Sequence, residues 1–192
     1  MPRPSLKNVR SREILDAFMM CVAKYGLDGS TLERIAEEAG VQRTLLRHYL
    51  GNREEMVTQL MDHTLTRFAE MTDEMVADLP ETNRWPTLLE RLFSNQSHQP
   101  GSAAVFQALI AASDQYPNLK DPLMSFVLDF ENTLSREIKA FFTTASAEKC
   151  EVVASGITSI YFGVDAVLPL SPPDFWTDRQ KKAALILQQS LV

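Results

Sequence analysis

Gln42, Arg43, Thr44, Arg47 and His48 place five hydrogen-bonding side chains within seven positions. Once Val41 and Leu46 are turned inward, all five point outward from a short helix. Arg and Gln make bidentate pairs with guanine and adenine edges, and Thr, Arg and His donate to phosphate oxygens. The chemistry these residues suit is nucleic-acid reading. Other chemistries find less support. His48, His63 and His98 have no metal-ligand spacing, and Cys21 and Cys150 have no close Cys or His partner. Both cysteines read as small buried thiols. No nucleophile motif, phosphate-cradling Gly-rich loop or dinucleotide fingerprint occurs, so no metal, no cofactor and no catalysis is expected.

The elements that would hold the donors are legible around them. Ser30-Thr31-Leu32-Glu33 opens a helix, with Glu33 able to reach back to Ser30 as in a capping box. Ala36 is the small residue where two helices touch, Gly40 supplies the turn, and Ile35, Ala39, Val41 and Leu46 fill the space between. A short helix over 42–50 follows, closed by Gly51-Asn52, and Arg53-Glu54-Glu55 opens a long one. This is the spacing of a helix-turn-helix. It also suits a plain αα-hairpin with a solvated polar face.

Helical periodicity continues along the chain, which reads as all-α with about nine helices. Ile14, Ala17, Phe18, Cys21 and Val22 mark the buried face of the first, ended by Gly26. Later helices are expected at 85–98, 101–115, 121–142, 147–168 and 174–190. The segment 152–170 is the most apolar. Its Gly, Ser, Thr and Pro residues argue for a helix buried on nearly all sides in place of a membrane span. The N-terminus shows no signal peptide, so the cytoplasm is the expected compartment.

Net charge is −6, but residues 1–53 hold nine Lys or Arg against six Asp or Glu. The remainder holds ten against nineteen. A basic head on an acidic body can meet DNA with one end. Arg3, Lys7, Arg10 and Arg12 form a sparse basic arm before the first helix, suited to phosphates or equally to a solvated terminus.

The order Thr31-Leu32-x-x-Ile35-Ala36-x-x-Ala39-Gly40-Val41, a short helix, then Gly51-Asn52-Arg53-Glu54-Glu55 resembles the TetR family of transcriptional regulators. The resemblance covers residues 10–60; beyond them only length and helical layout agree. It implies a helix-turn-helix DNA-binding domain over 1–53 and a helical ligand-binding and dimerisation domain over 54–192. By resemblance Thr31 and Tyr49 bind phosphates, Arg53 stands where a basic residue often begins the fourth helix, and Gln42, Arg43 and Thr44 begin the base-reading helix. Arg47 replaces a frequent Tyr, and Leu50 a frequent aromatic. The partners implied are double-stranded operator DNA, a small-molecule effector and a second copy of the chain. Val153, Gly156, Ile160, Val164, Ala184 and Leu187 are the expected dimer contacts. Trp85, Phe93, Phe106, Ile110, Phe126, Phe130 and Tyr161 are the candidate ligand contacts. Asp165, the one charge in its apolar segment, would pair with Arg179 or Lys181 or face a cationic ligand. A helical binding protein or enzyme without a regulatory role, and a DNA-compacting protein, are the competing readings.

Overall fold

The computed structural model describes residues 6–94 and 101–192. Arg3 and His98 lie outside them, as does the side chain of Lys7. The described residues form α1 (Leu6–Gly29), α2 (Leu32–Glu38), α3 (Arg43–Leu50), α4 (Arg53–Ala77), α5 (Arg84–Leu92), α6 (Ser102–Ala111), α7 (Lys120–Phe141), α8 (Ala147–Val167) and α9 (Asp174–Gln188). Single 3-10 turns follow α6, α8 and α9. The all-α reading and its nine helices stand. Arg10 and Arg12 belong to α1 and not to an arm before it, and Arg10 pairs with Glu13 one turn on, at 2.6 Å.

Local chemistry sets the turns. Gly26 (φ 69°) breaks the helical path near the end of α1, and Gly40 (φ 61°) takes the left-handed conformation between α2 and α3, where a side chain would be strained. The cap of α2 is Thr31, whose hydroxyl accepts from the Arg34 amide. Of the two hydroxyls that could cap this helix, Thr31 is the one that does, and the expected reach of Glu33 back to Ser30 is replaced by its pairing with Arg43. Ser30 is buried and donates to the Gly26 carbonyl at 2.7 Å. The reciprocal capping box lies at the start of α4. The Asn52 side chain accepts from the Glu55 amide at 3.0 Å, and the Glu55 carboxylate accepts from the Asn52 amide at 2.7 Å.

The chain divides into two compact units. One runs to Phe68 and also takes in the stretch from α6 to Leu123. Its core holds the expected face of α1, namely Ile14, Ala17, Phe18, Cys21 and Val22, with Ile35, Leu46, Leu50 and Leu60. Burial, aided by Glu38, pushes the Cys21 thiol upward, so it behaves as a buried apolar group. Polar ties join its helices. Asp16 on α1 accepts from Arg67 at 2.9 Å and lies 2.9 Å from the His63 ring, both on α4, while Lys24 meets Glu38 at 3.2 Å.

The other unit runs from Ala69 and holds Met124–Val192. Trp85, Leu88, Leu89 and Leu92 of α5 bury completely or nearly so with Leu134, Ile138, Val153, Ile157 and Val164. The Trp85 indole N–H donates to Gln188 at 2.7 Å. Arg84 forks onto Glu137 at 2.8 and 2.9 Å and also donates to the Val76 carbonyl, while Arg91 donates to the carbonyls of Met75 and Asp78. Two arginines thus satisfy carbonyls at the C-terminal end of α4, which has no basic residue in its own last turn.

Helix α8 departs from expectation. Together with its following turn it is the one described helix long and apolar enough to cross a membrane, yet only 28% of its most apolar window is buried. It is therefore not enclosed on nearly all sides. Its inner face, with Val153, Ala154, Ile157 and Val164, packs into the unit's own core, and a side chain at Gly156 would collide with Leu187 of α9. Val153, Val164 and Ala184, expected at a subunit interface, are interior residues of one chain. The outward positions are Val152, Ser159, Gly163 and Ala166, and on α9 Phe175, Ala183 and Ile186.

Candidate nucleic-acid interface

Helix α3 is held from beneath and open above. Leu46 and Leu50 are fully buried, whereas Gln42, Arg43, Thr44, Arg47 and His48 are exposed, as the outward set requires. The Val41 amide donates to the Ala36 carbonyl at 2.9 Å and closes the turn, which fixes the angle at which α3 leaves α2. Gln42 is the residue before the helix and spends no side-chain bond on capping it. Tyr49 is half-buried and meets the His48 ring edge-on, with centroids 5.2 Å apart. Thr31 is exposed at the start of α2 and lines the same cleft as Arg47.

Two arginines differ from expectation. Arg43 is exposed but forms an ion pair with Glu33 in the first turn of α2. Arg53 faces inward. Its guanidinium donates to the carbonyls of Leu27 at 2.5 Å and Ser30 at 3.0 Å and sits over the Phe18 ring at 5.3 Å. Arg34 completes the arrangement, donating to the Gly29 carbonyl at 2.7 Å and covering the Tyr25 ring. Four carbonyls of the α1–α2 turn, those of Gly26, Leu27, Gly29 and Ser30, thus accept from side chains. Such a turn positions the head of α2 with little freedom.

Sequence reasoning missed three of these features. The Glu33–Arg43 pair joins different helices, so no within-helix spacing announces it. The inward turn of Arg53 likewise depends on where α1 ends in space. Asn52-x-x-Glu55, by contrast, is a readable capping signal that the more prominent Ser30 obscured.

The candidate ligand residues fall in both units. Phe106 and Ile110 belong to α6 in the first, where Phe106 is buried near Phe68 and Ile110 is exposed. Trp85, Phe93, Phe126, Phe130 and Tyr161 belong to the second. Phe130 stacks on Tyr161 with centroids 5.2 Å apart, and Phe162 adds a tilted third ring. Burial, then the charge of Asp165, raises the Tyr161 phenol above its ordinary range, so it stays protonated as a donor. In the same unit the hydroxyls of Ser135 and Thr158 are buried without a hydrogen-bond partner among the described residues. Ser159 and Thr133 instead bond back to the carbonyls four residues earlier.

Comparison with known proteins places this geometry. The family described as bacterial regulatory proteins, tetR family, matches residues 14–60. The HTH-type transcriptional regulator BetI of Vibrio parahaemolyticus is 25% identical over an alignment covering 100% of this chain and 94% of that protein. A TetR-family transcriptional regulator from Cytophaga hutchinsonii superposes with a TM-score of 0.82, at 13% identity and 98% coverage of both chains. The multidrug binding protein EbrR, solved with imidazole, gives a TM-score of 0.62 at 16% identity, covering 93% of this chain and 94% of its own.

Proposed function

We infer that this chain, a member of the TetR family of regulatory proteins, is a ligand-responsive DNA-binding transcriptional regulator and not an enzyme, and that it acts as a cytoplasmic homodimeric repressor. The observation that carries the reading is the exposed donor row of α3 on a helix whose apolar side is locked by Leu46, Leu50 and the Ala36–Val41 turn. Gln42, Arg43, Thr44 and Arg47 read base edges, while Thr31, His48 and Tyr49 hold phosphates. Arg53 serves by fixing the turn beneath Thr31. Because one eight-residue helix offers few contacts, two copies engage a palindrome with half-sites about one helical turn apart.

Residues 54–192 bind the effector and the second copy. The Phe130–Tyr161–Phe162 rings, with the buried hydroxyls of Ser135 and Thr158 in the same unit, favour a small apolar or amphipathic molecule carrying a few polar atoms. The neighbour solved with imidazole supports small-molecule recognition on this fold. Effector binding to a state that mismatches the operator lowers DNA affinity by linkage. The test is selection of bound fragments from random duplex DNA by the full chain, read by sequencing. A shared palindrome is the expected result; retained fragments with no common motif would overturn the specific-regulator reading.

A further inference from the structure

A cleft of about 590 Å³ lies in the first unit, where the α1–α2 turn, the α3–α4 turn and the end of α6 come together. Leu32 and the ring of Tyr116 supply apolar surface over the buried Met56, and Thr31, Arg47 and Gln115 supply polar groups. Its size lies within the range of small-molecule sites. Tyr116 is held in place. Its amide donates to the Ala112 carbonyl at 2.9 Å, the next turn buries Leu119 completely, and Asn118 donates to Thr58 on α4 at 2.8 Å.

The charges around the cleft select its occupant. Arg53 and Arg47 line it against a single carboxylate, Asp28. The Arg53 guanidinium is already engaged by the Leu27 and Ser30 carbonyls. Elsewhere in the head, Arg43 is engaged by Glu33, Lys24 by Glu38, and Arg34 by Gly29 and Tyr25. Among the described residues neither cation of this cleft forms an ion pair, but the Arg53 guanidinium is turned onto carbonyls and the Phe18 ring, which leaves the exposed Arg47 as the cation open to an anion. We propose that the cleft is a second small-molecule site, separate from the ring cluster of α7 and α8, and that it takes a small aromatic carboxylate. The ring lies along Leu32 and Tyr116, and the carboxylate meets Arg47. Arg47 is then shared by two anions, because the reading of α3 given above assigns it to DNA. A carboxylate there competes with the operator, so the ligand releases DNA from the head itself.

The experiment titrates the full chain with benzoate, acetate and benzyl alcohol, following backbone amides by NMR. Benzoate is expected to give saturable shifts at Thr31, Asn52 and Tyr116, at concentrations about tenfold below those needed for acetate or benzyl alcohol, since each of these lacks one of the two contacts. Arg47→Met and Tyr116→Ala, checked for helical content, should abolish the shifts. Saturating benzoate should weaken operator binding by the wild-type chain about tenfold. Absent shifts, shifts equal for acetate, or shifts that survive both substitutions overturn the site. Saturable shifts with unchanged operator affinity overturn its regulatory role. Should the chain select no operator at all, the functional reading fails while the amide shifts still decide the cleft.

Discussion

At the scale of single residues, the pairing of Arg43 with Glu33 bears on the DNA-reading role proposed for α3. Both side chains are more than half exposed, so the pair contributes little to stability and its partners separate easily. On the proposed reading of α3 its effect falls on DNA: the carboxylate would repel phosphate and keep Arg43 occupied when no operator is present. Arg43→Ala and Arg47→Ala should each weaken operator binding, by about 1–3 kcal/mol and at one base position if the contact is bidentate, or for all sequences alike if it is to phosphate. Glu33→Gln should instead strengthen binding to operator and unrelated DNA together, with the gain shrinking as salt rises. Gel shifts at two salt concentrations measure all three variants, and unchanged affinity in both arginine variants would remove α3 as the reader. The outward donors of α3 were legible because one helix carries them and its period says which side is apolar. Glu33 was not, because its partner lies on another helix and only the steepness of the turn brings them together.

At the scale of elements, the α1–α2 turn shows how a residue assigned to the surface comes to work inside. Position 53 reads from sequence as a cation at a helix start, where a phosphate contact is natural. In the fold its planar guanidinium spans two carbonyls and an aromatic face, a geometry that a lysine ammonium does not reproduce. Arg53→Met and Arg53→Lys are therefore both expected to lower unfolding stability, by about 1–3 kcal/mol in urea, since partly buried carbonyls lose their donors. A phosphate-binding role makes the opposite forecast: stability is unchanged in both variants, and Arg53→Met lowers the salt dependence of DNA binding by about one charge. Helix existence was legible at this scale because apolar periodicity and Gly breaks are local. Caps and turn chemistry were less so, since Ser30 and Thr31 are equally good capping residues and only the buried path of the chain favours the second.

At the scale of the whole molecule, α8 and α9 carry apolar residues on two faces, and the sequence cannot say which face belongs to the chain's own core. Successive residues on a helix differ by about 100°, so choosing Val153 over Val152 exchanges an interior position for an outward one. Val153 is 2% exposed and Val152 63%; Ala184 is fully buried and Ile186 is 67% exposed. With Phe175 at 56%, and Gly163 with open space where a side chain would stand, the outer face is apolar and closely approachable. Exposed apolar surface of this kind marks an association site, and an isologous dimer would cover it on both copies at once. Val152→Arg and Ile186→Arg should then give folded monomers, because each charge would be desolvated only in the dimer. Val153→Arg and Ala184→Arg should instead unfold the chain, because each charge would enter a core with no partner for it. Sedimentation and circular dichroism separate the two classes. The monomeric variants should also lose operator affinity, since each half-site then binds alone, without the second head held at matched spacing. Folded dimers in both Val152→Arg and Ile186→Arg would place the interface elsewhere, and a wild-type chain that sediments as a monomer at micromolar concentration would remove the dimer altogether.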